Sequence, residues 1–347
     1  MVEVAPGGER LQIPIWKYLL FLFLLALLGL GVLWYLLSSN YGASNSFLET
    51  LRRYLSFMST YHPKMQPQDD FANALRIHSF ERDDAKKFRL FVSATDKDGS
   101  PMKVINAGDV RIKVADISGN DLGASITRVR PLHMYTDWVP PVSFSSVMDY
   151  SGSMFPQDLS AIETNYADLI NNITLAINVA VVKFNSGVHD IIGLSDNRSD
   201  IITALQKRIN LENTALFDGI DRGIEHIQSR KYLRFIILTT DGNDNASSNS
   251  IESVIKRCQT HGIAIFVFGF GWLDVQRLKE LSERTDGLYS YVPDSSNLDD
   301  WFIKLGQIIN NIQVIEFTAG SDMNQPGTVE LEVQAGGQSL KRIRVWN

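Results

Sequence analysis

Four runs in the middle of the chain decide what it can fold into: SFSSVMD, LAINVAVVKF, RFIILTTD and IAIFVFGF. Each is strand-length, LAINVAVVKF and IAIFVFGF being near-continuously apolar while SFSSVMD and RFIILTTD add small hydroxyl residues to an apolar centre, and amphipathic stretches with helical spacing separate them. Strands that are apolar on both faces must be covered on both faces. Alternation with helical crossovers achieves this as a doubly wound α/β layer, a mainly parallel sheet between two sets of helices. Helices are expected through Leu159–Ile173 and from Ser199, Leu216, Ser250, Leu273 and Asn297, with further strands at VHDIIGLS and LYSYV. In such sheets ligands bind beyond the carboxyl ends of the strands, where the strand order reverses.

On either side of this region the period changes to two. FRLFVSATDKDGSPM, DVRIKVADISGNDLG and SITRVRPL precede it, and VIEFTAG, TVELEVQA and SLKRIRVW follow it, with Gly336–Gly337 as a hairpin turn. Neither piece has enough strands to cover its own edges and faces. The two are therefore expected to pair across the central domain into one β-sandwich. Farther upstream, Tyr18–Leu37 reads YLLFLFLLALLGLGVLWYLL, uncharged and about as long as a helix that crosses ~30 Å of hydrocarbon. Trp16, Trp34 and Tyr35 sit where interfacial rings belong, and Arg10 and Lys17 before the span predict a cytoplasmic amino terminus. The expected layout is a tail over 1–17, a transmembrane helix over 18–37, and a linker with a juxtamembrane helix over 38–85. After these come β-sandwich strands over 86–141, the α/β domain over 142–310 and the remaining β-sandwich strands over 311–347. A single-pass protein of the cell membrane, its soluble part periplasmic or extracellular, follows from that order.

Composition excludes several functions. A net charge of −6 with 21% charged residues lacks the basic excess of a nucleic-acid binder, so no nucleic-acid partner is expected. Cys258 is the only cysteine, which rules out an intrachain disulfide, a cysteine zinc site and a CxxC redox pair; it is expected to pack.

The chemistry concentrates in VMDYSGSM, Val147–Met154. Asp149 closes the first strand of the α/β domain and Asp241 closes RFIILTTD, so both carboxylates reach one rim. On a strand that passes into a turn, residues two apart project alike, and Asp149, Ser151 and Ser153 can converge. Two carboxylates with neutral hydroxyls, and no imidazole or thiolate, suit a hard, oxygen-loving cation. Asn243, Asp244 and Asn245 read as a solvated loop in preference to an extension of the polar rim, and Asp218 as a helix-start acid or a functional group. Met148, Met154 and Phe155 beside the site read as one buried and two exposed apolar residues, or as contacts to a ligand.

The segment 142–310 resembles a von Willebrand factor A domain with a metal-ion-dependent adhesion site, of a bacterial, membrane-anchored type. The resemblance rests on D-x-S-x-S at Asp149, Ser151 and Ser153, on Thr214 in NTALFDGI and on Asp241 in LTTDGND. It implies a Rossmann-like fold and a metal site made by Asp149, Ser151, Ser153, Thr214 and Asp241, holding Mg²⁺ or alternatively Mn²⁺ or Ca²⁺. By the same resemblance the hydroxyls ligate directly or through water, and the carboxylates stand partly behind them. The implied partner is a protein whose exposed Asp or Glu completes the coordination, in adhesion or complex assembly, and the implied protein is not an enzyme.

Three other readings compete. An inward-facing domain would serve as adaptor for a cytoplasmic assembly or an AAA-type ATPase. A Mg²⁺-dependent phosphotransferase would use Asp149 as nucleophile, but its usual second Asp two residues on is here Ser151. A serine hydrolase lacks both the G-x-S-x-G turn and a suitably spaced histidine.

Overall fold

The computed structural model describes residues 68–346, apart from 70, 85, 103, 136–137, 272, 293–297, 321–325 and 336. The expected tail, membrane span and juxtamembrane helix lie outside the described residues. Among the described residues no helix is long and apolar enough to cross a membrane.

A seven-stranded sheet is built around β6 (Val142–Asp149), all eight of whose residues are buried. β7 (Ile177–Phe184) pairs parallel on one side of it and β9 (Arg234–Thr240) parallel on the other. Beyond β9 come β10 (Ala264–Phe270) and β11 (Tyr289–Val292), both parallel. Antiparallel strands close the two edges, β8 (Val188–Ser195) beside β7 and β1 (Gln68–Asp69) beside β11. The sheet is mixed at its edges and parallel at its centre. Because the chain leaves β6 to one side and returns to the other, the strand order reverses beside the end of β6.

Helices cover both faces, as alternation along β6 requires. Phe144 and Met148 face a cluster with α1 (Pro156–Asn172), α2 (Arg198–Gln206) and α6 (Leu298–Asn310), while Val147 faces α3 (Leu216–Ile227), α4 (Ile251–His261) and α5 (Val275–Arg284). On α3, Leu216, Ile220, Ile224 and Ile227 recur three or four apart and form its buried stripe. Gly219 and Gly223 on that stripe let α3 lie close: a Cβ on Gly219 would stand 2.7 Å from the Phe184 ring, and one on Gly223 2.8 Å from Val147. Cys258 is buried on α4, and burial pushes its thiol pKa up.

The flanking strands pair across this domain. β12 (Gln313–Ala319) lies between β3 (Lys87–Ala94) and β5 (Ala124–Pro131), antiparallel to both, and β13 (Gly327–Ala335) pairs with β4 (Val110–Asp116) and β14 (Gln338–Trp346). The resulting four-stranded and three-stranded sheets share one apolar cluster that includes Leu90, Val114, Ile315 and Leu331. One correction falls on the linker assigned to 38–85. Leu75–Asp84 is not linker; it forms β2, which pairs with β3 and completes the larger sheet.

His78 on β2 is buried where the support meets the α/β domain. Its Nε2 is 2.8 Å from Ser93 Oγ and its ring stands edge-on to Phe266. Burial, then the charges of Arg76 and Arg344, lower its pKa from 6.5 to about 3. The unfolded chain therefore takes up a proton below pH 6.5 that the folded chain refuses until about pH 3, so stability falls as pH falls through that window. Between pH 6.5 and 5 this one group should remove about 2 kcal/mol. Denaturant unfolding at the two pH values checks it, with His78→Gln expected to flatten the difference. An equally steep fall in His78→Gln would assign the effect to other groups.

Candidate metal centre

All five residues expected at the rim are described. Asp149 ends β6 with no exposed surface, and Ser151 and Ser153 follow in the β6–α1 turn. Asp149 Oδ1 accepts the Ser151 N–H at 2.7 Å, which bends the chain back over the strand end. Its Oδ2 accepts the Thr240 hydroxyl at 2.5 Å from neighbouring β9. One residue later, Asp241 Oδ1 accepts the Ser153 hydroxyl at 2.8 Å and lies 3.5 Å from Ser151 Oγ, while the two serine oxygens are 2.9 Å apart.

Gly242 measures the convergence. A Cβ built on it would lie 3.5 Å from Ser151 Oγ, 3.5 Å from Ser153 Oγ and 3.6 Å from Asp149 Oδ2. Three oxygens from one turn thus surround a single point, and glycine there leaves it open. Ser153 is exposed, so the cradle faces solvent on that side. These are hard oxygen donors at the reversal of strand order, and they fit a divalent cation.

Thr214 arrives by a different route. Gly152 N donates to Glu212 O at 2.6 Å and Ser151 bridges Glu212 in parallel, which pins the α2–α3 loop against the β6–α1 turn two residues before Thr214. On its other side the Thr214 N–H donates to Asn245 Oδ1 at 2.8 Å, and its carbonyl accepts Asn245 N at 3.0 Å. The Thr214 side chain is buried.

Charge is unbalanced here. Among the described residues neither Asp149 nor Asp241 forms an ion pair. Burial raises the pKa of both, and for Asp241 the neighbouring Asp149 charge raises it further. Two carboxylates so placed resist being ionised together unless a cation joins them.

Several neighbours differ from the sequence expectation. Asn243, Asp244 and Asn245 are not merely solvated: Asp244 Oδ1 accepts Leu216 N at 3.0 Å and Asn243 Oδ1 accepts Asp274 N at 2.6 Å, so the loop after Asp241 caps the starts of α3 and α5. That matters because Ala215, at the start of α3, has no side chain able to cap it. Asp218 accepts the Ser248 and Asn249 N–H groups at 2.9 and 2.8 Å, fixing the same loop. Met154 is buried, not exposed, with Met148; Phe155 alone is 56% exposed beside the rim. Thr240 was missed, and no spacing rule marks it. Lys183 was also missed, although a single charge inside LAINVAVVKF was a visible signal.

Residues 146–303 match the sequence model of the von Willebrand factor type A domain. An uncharacterized protein of Synechocystis sp. is 24% identical over 179 residues, which cover 50% of this chain and 42% of that protein. The chain therefore spans less than half the length of that relative. Among solved structures, a von Willebrand factor type A protein from Catenulispora acidiphila aligns at 14% identity over 83% of this chain and 76% of its own, with a TM-score of 0.47. Proximal thread matrix protein 1 from the mussel byssus, solved with a zinc-occupied MIDAS motif, aligns at 18% identity over 51% of this chain and 47% of its own, with a TM-score of 0.45. The vWF domain of the type V pili tip protein Mfa5 from Porphyromonas gingivalis aligns at 12% identity over 49% and 95%, with a TM-score of 0.41. The cradle at the end of β6 lies within residues 146–303, the part of the chain that matches the von Willebrand factor type A domain.

Proposed function

We propose that this protein binds a protein partner through a divalent cation held at the end of β6. Ser151, Ser153 and Thr214 would supply neutral oxygens, with Asp149 and Asp241 behind them orienting water and offsetting charge. Mg²⁺ is the first choice for an all-oxygen site, with Mn²⁺ and Ca²⁺ as alternatives. The observation that carries the reading is the open point beside Gly242, ringed by three oxygens and exposed through Ser153. When bound, an ion whose direct ligands are neutral oxygens stays electrophilic on its outward side and takes an anionic oxygen there. A partner's Asp or Glu carboxylate fits it. Binding rather than catalysis is also what von Willebrand factor type A domains mostly do.

In the same proposal residues 18–37 anchor the chain in the cell membrane and the rim faces away from the cytoplasm. Capture of partners by the full-length chain in Mg²⁺ and in chelator tests the whole reading. A partner held in Mg²⁺ should be released by chelator and rebind when Mg²⁺ or Mn²⁺ is restored. Protease added outside intact cells should destroy the capture. A partner retained in chelator would refute the metal-dependent mode, and protection from external protease would refute the outward orientation.

A further inference from the structure

Lys183 is the one charged residue of β7, and its side chain has no exposed surface. Its Nζ donates to Tyr150 Oη at 2.8 Å, to Leu205 O at 2.6 Å and to Lys207 O at 2.6 Å. Three acceptors match the three N–H groups of an ammonium. Burial works against that charge and lowers the pKa from 10.5 to about 7. A buried cation is expensive, and an apolar residue would serve a parallel strand better if packing were the only requirement.

What the lysine touches is informative. Tyr150 lies between Asp149 and Ser151, and its hydroxyl donates to Glu163 Oε1 on α1 at 2.7 Å. Glu163 in turn accepts Arg208 through both carboxylate oxygens at 3.2 Å. Leu205 and Lys207 end α2 and open the segment that runs to Glu212 and Thr214. One ammonium therefore holds both arms of the rim, the turn with Ser151 and Ser153 and the loop with Thr214. None of its contacts is with a ligand oxygen.

We propose that Lys183 is a positioning residue for the metal centre, fixing the distance between the β6–α1 turn and the α2–α3 loop so that their hydroxyls close on one ion. The inference rests on the metal-centre reading given above. Mn²⁺ titration calorimetry on the purified full-length chain tests it, in wild type, Lys183→Met, Thr214→Ala and the double variant. Lys183→Met should weaken Mn²⁺ binding about tenfold or more. In the Thr214→Ala background the same change should cost about twofold or less, because the hydroxyl being positioned is already gone. A general loosening would instead weaken binding by the same factor in both backgrounds, and that result overturns the proposal. So does a Lys183→Met protein whose affinity equals that of wild type. Should Lys183→Met fail to fold, Tyr150→Phe keeps the ring and removes one acceptor; it should weaken Mn²⁺ binding about threefold or more by the same loss of support, and unchanged affinity overturns the proposal. Wild-type protein that takes up no Mn²⁺ refutes the metal-centre reading itself, whereas uptake unaffected by Lys183→Met refutes only the positioning role.

Discussion

Asp149→Ala is expected to weaken Mg²⁺ binding about 100-fold and to abolish capture of a carboxylate-bearing partner, while leaving the fold intact. The carboxylate orders the turn through Ser151 N and engages Thr240, so its loss releases the turn that carries the two serines as well as removing a charge that offsets the ion. Supporting groups of this kind change metal affinity by about 10–100-fold, and Asp149 sits at the upper end because it acts on two neighbours at once. The effect on stability should have the opposite sign in chelator. Burial raises the pKa of Asp149 and Asp241, so between the unfolded value of 3.8 and the raised ones the folded chain binds more protons than the unfolded chain. Stability of the metal-free protein then falls as pH rises through that window. Asp149→Ala removes one of the two mutually repelling charges and should be no less stable than wild type in chelator at pH 7, yet gain little from added Mg²⁺. Calorimetry and thermal melts with and without Mg²⁺ check both halves. A variant that binds Mg²⁺ like wild type would remove Asp149 from the site.

The second large effect lies in the scaffold. Gly287→Ala should destabilise the protein by about 3 kcal/mol or more, at the upper end of overpacking costs. A Cβ there would fall 1.8 Å from Ile265 O and 2.5 Å from its carbonyl carbon, both backbone atoms of β10 that no side-chain rotation can move. The turn has no slack on either side: Asp286 already occupies a left-handed conformation at φ 59°, and Gly287 N donates to Ser282 O at 2.8 Å. Relief requires β11 to move off β10. Urea unfolding measures the loss, and a variant within about 1 kcal/mol of wild type would show that the turn can yield.

The sequence makes some of this architecture plain and hides the rest for identifiable reasons. Asp149 and Asp241 are legible because each terminates an apolar run, and a central strand leaves an acid nowhere to go except its end. Thr214 is different: it stands in a loop with no periodicity, and only the resemblance picks it out. β2 escaped because its alternation fails where the pairing with β3 shifts register, between Ile77 and Ser79 and again between Arg82 and Asp84. The capping by Asn243 and Asp244 joins residues about thirty positions from their partners, beyond the reach of local rules. Lys183 was visible as an exception in its strand, but its role depends on Tyr150, Leu205 and Lys207, which are close to it only once the sheet has formed.

The position of β12 between β3 and β5 also imposes an order on assembly. β5 leads into the α/β domain and β12 leads out of it, so their pairing closes a loop that contains every strand of that domain except the short edge strand β1. Closing so long a loop in an unfolded chain is costly in entropy, whereas a folded insert brings its two ends together at one strand spacing. The insert should therefore form first and nucleate its own support. During synthesis from the amino terminus, β3, β4 and β5 keep open edges until β12 and β13 emerge. For that interval the strands most prone to pairing with a wrong chain await a segment made only after the whole insert.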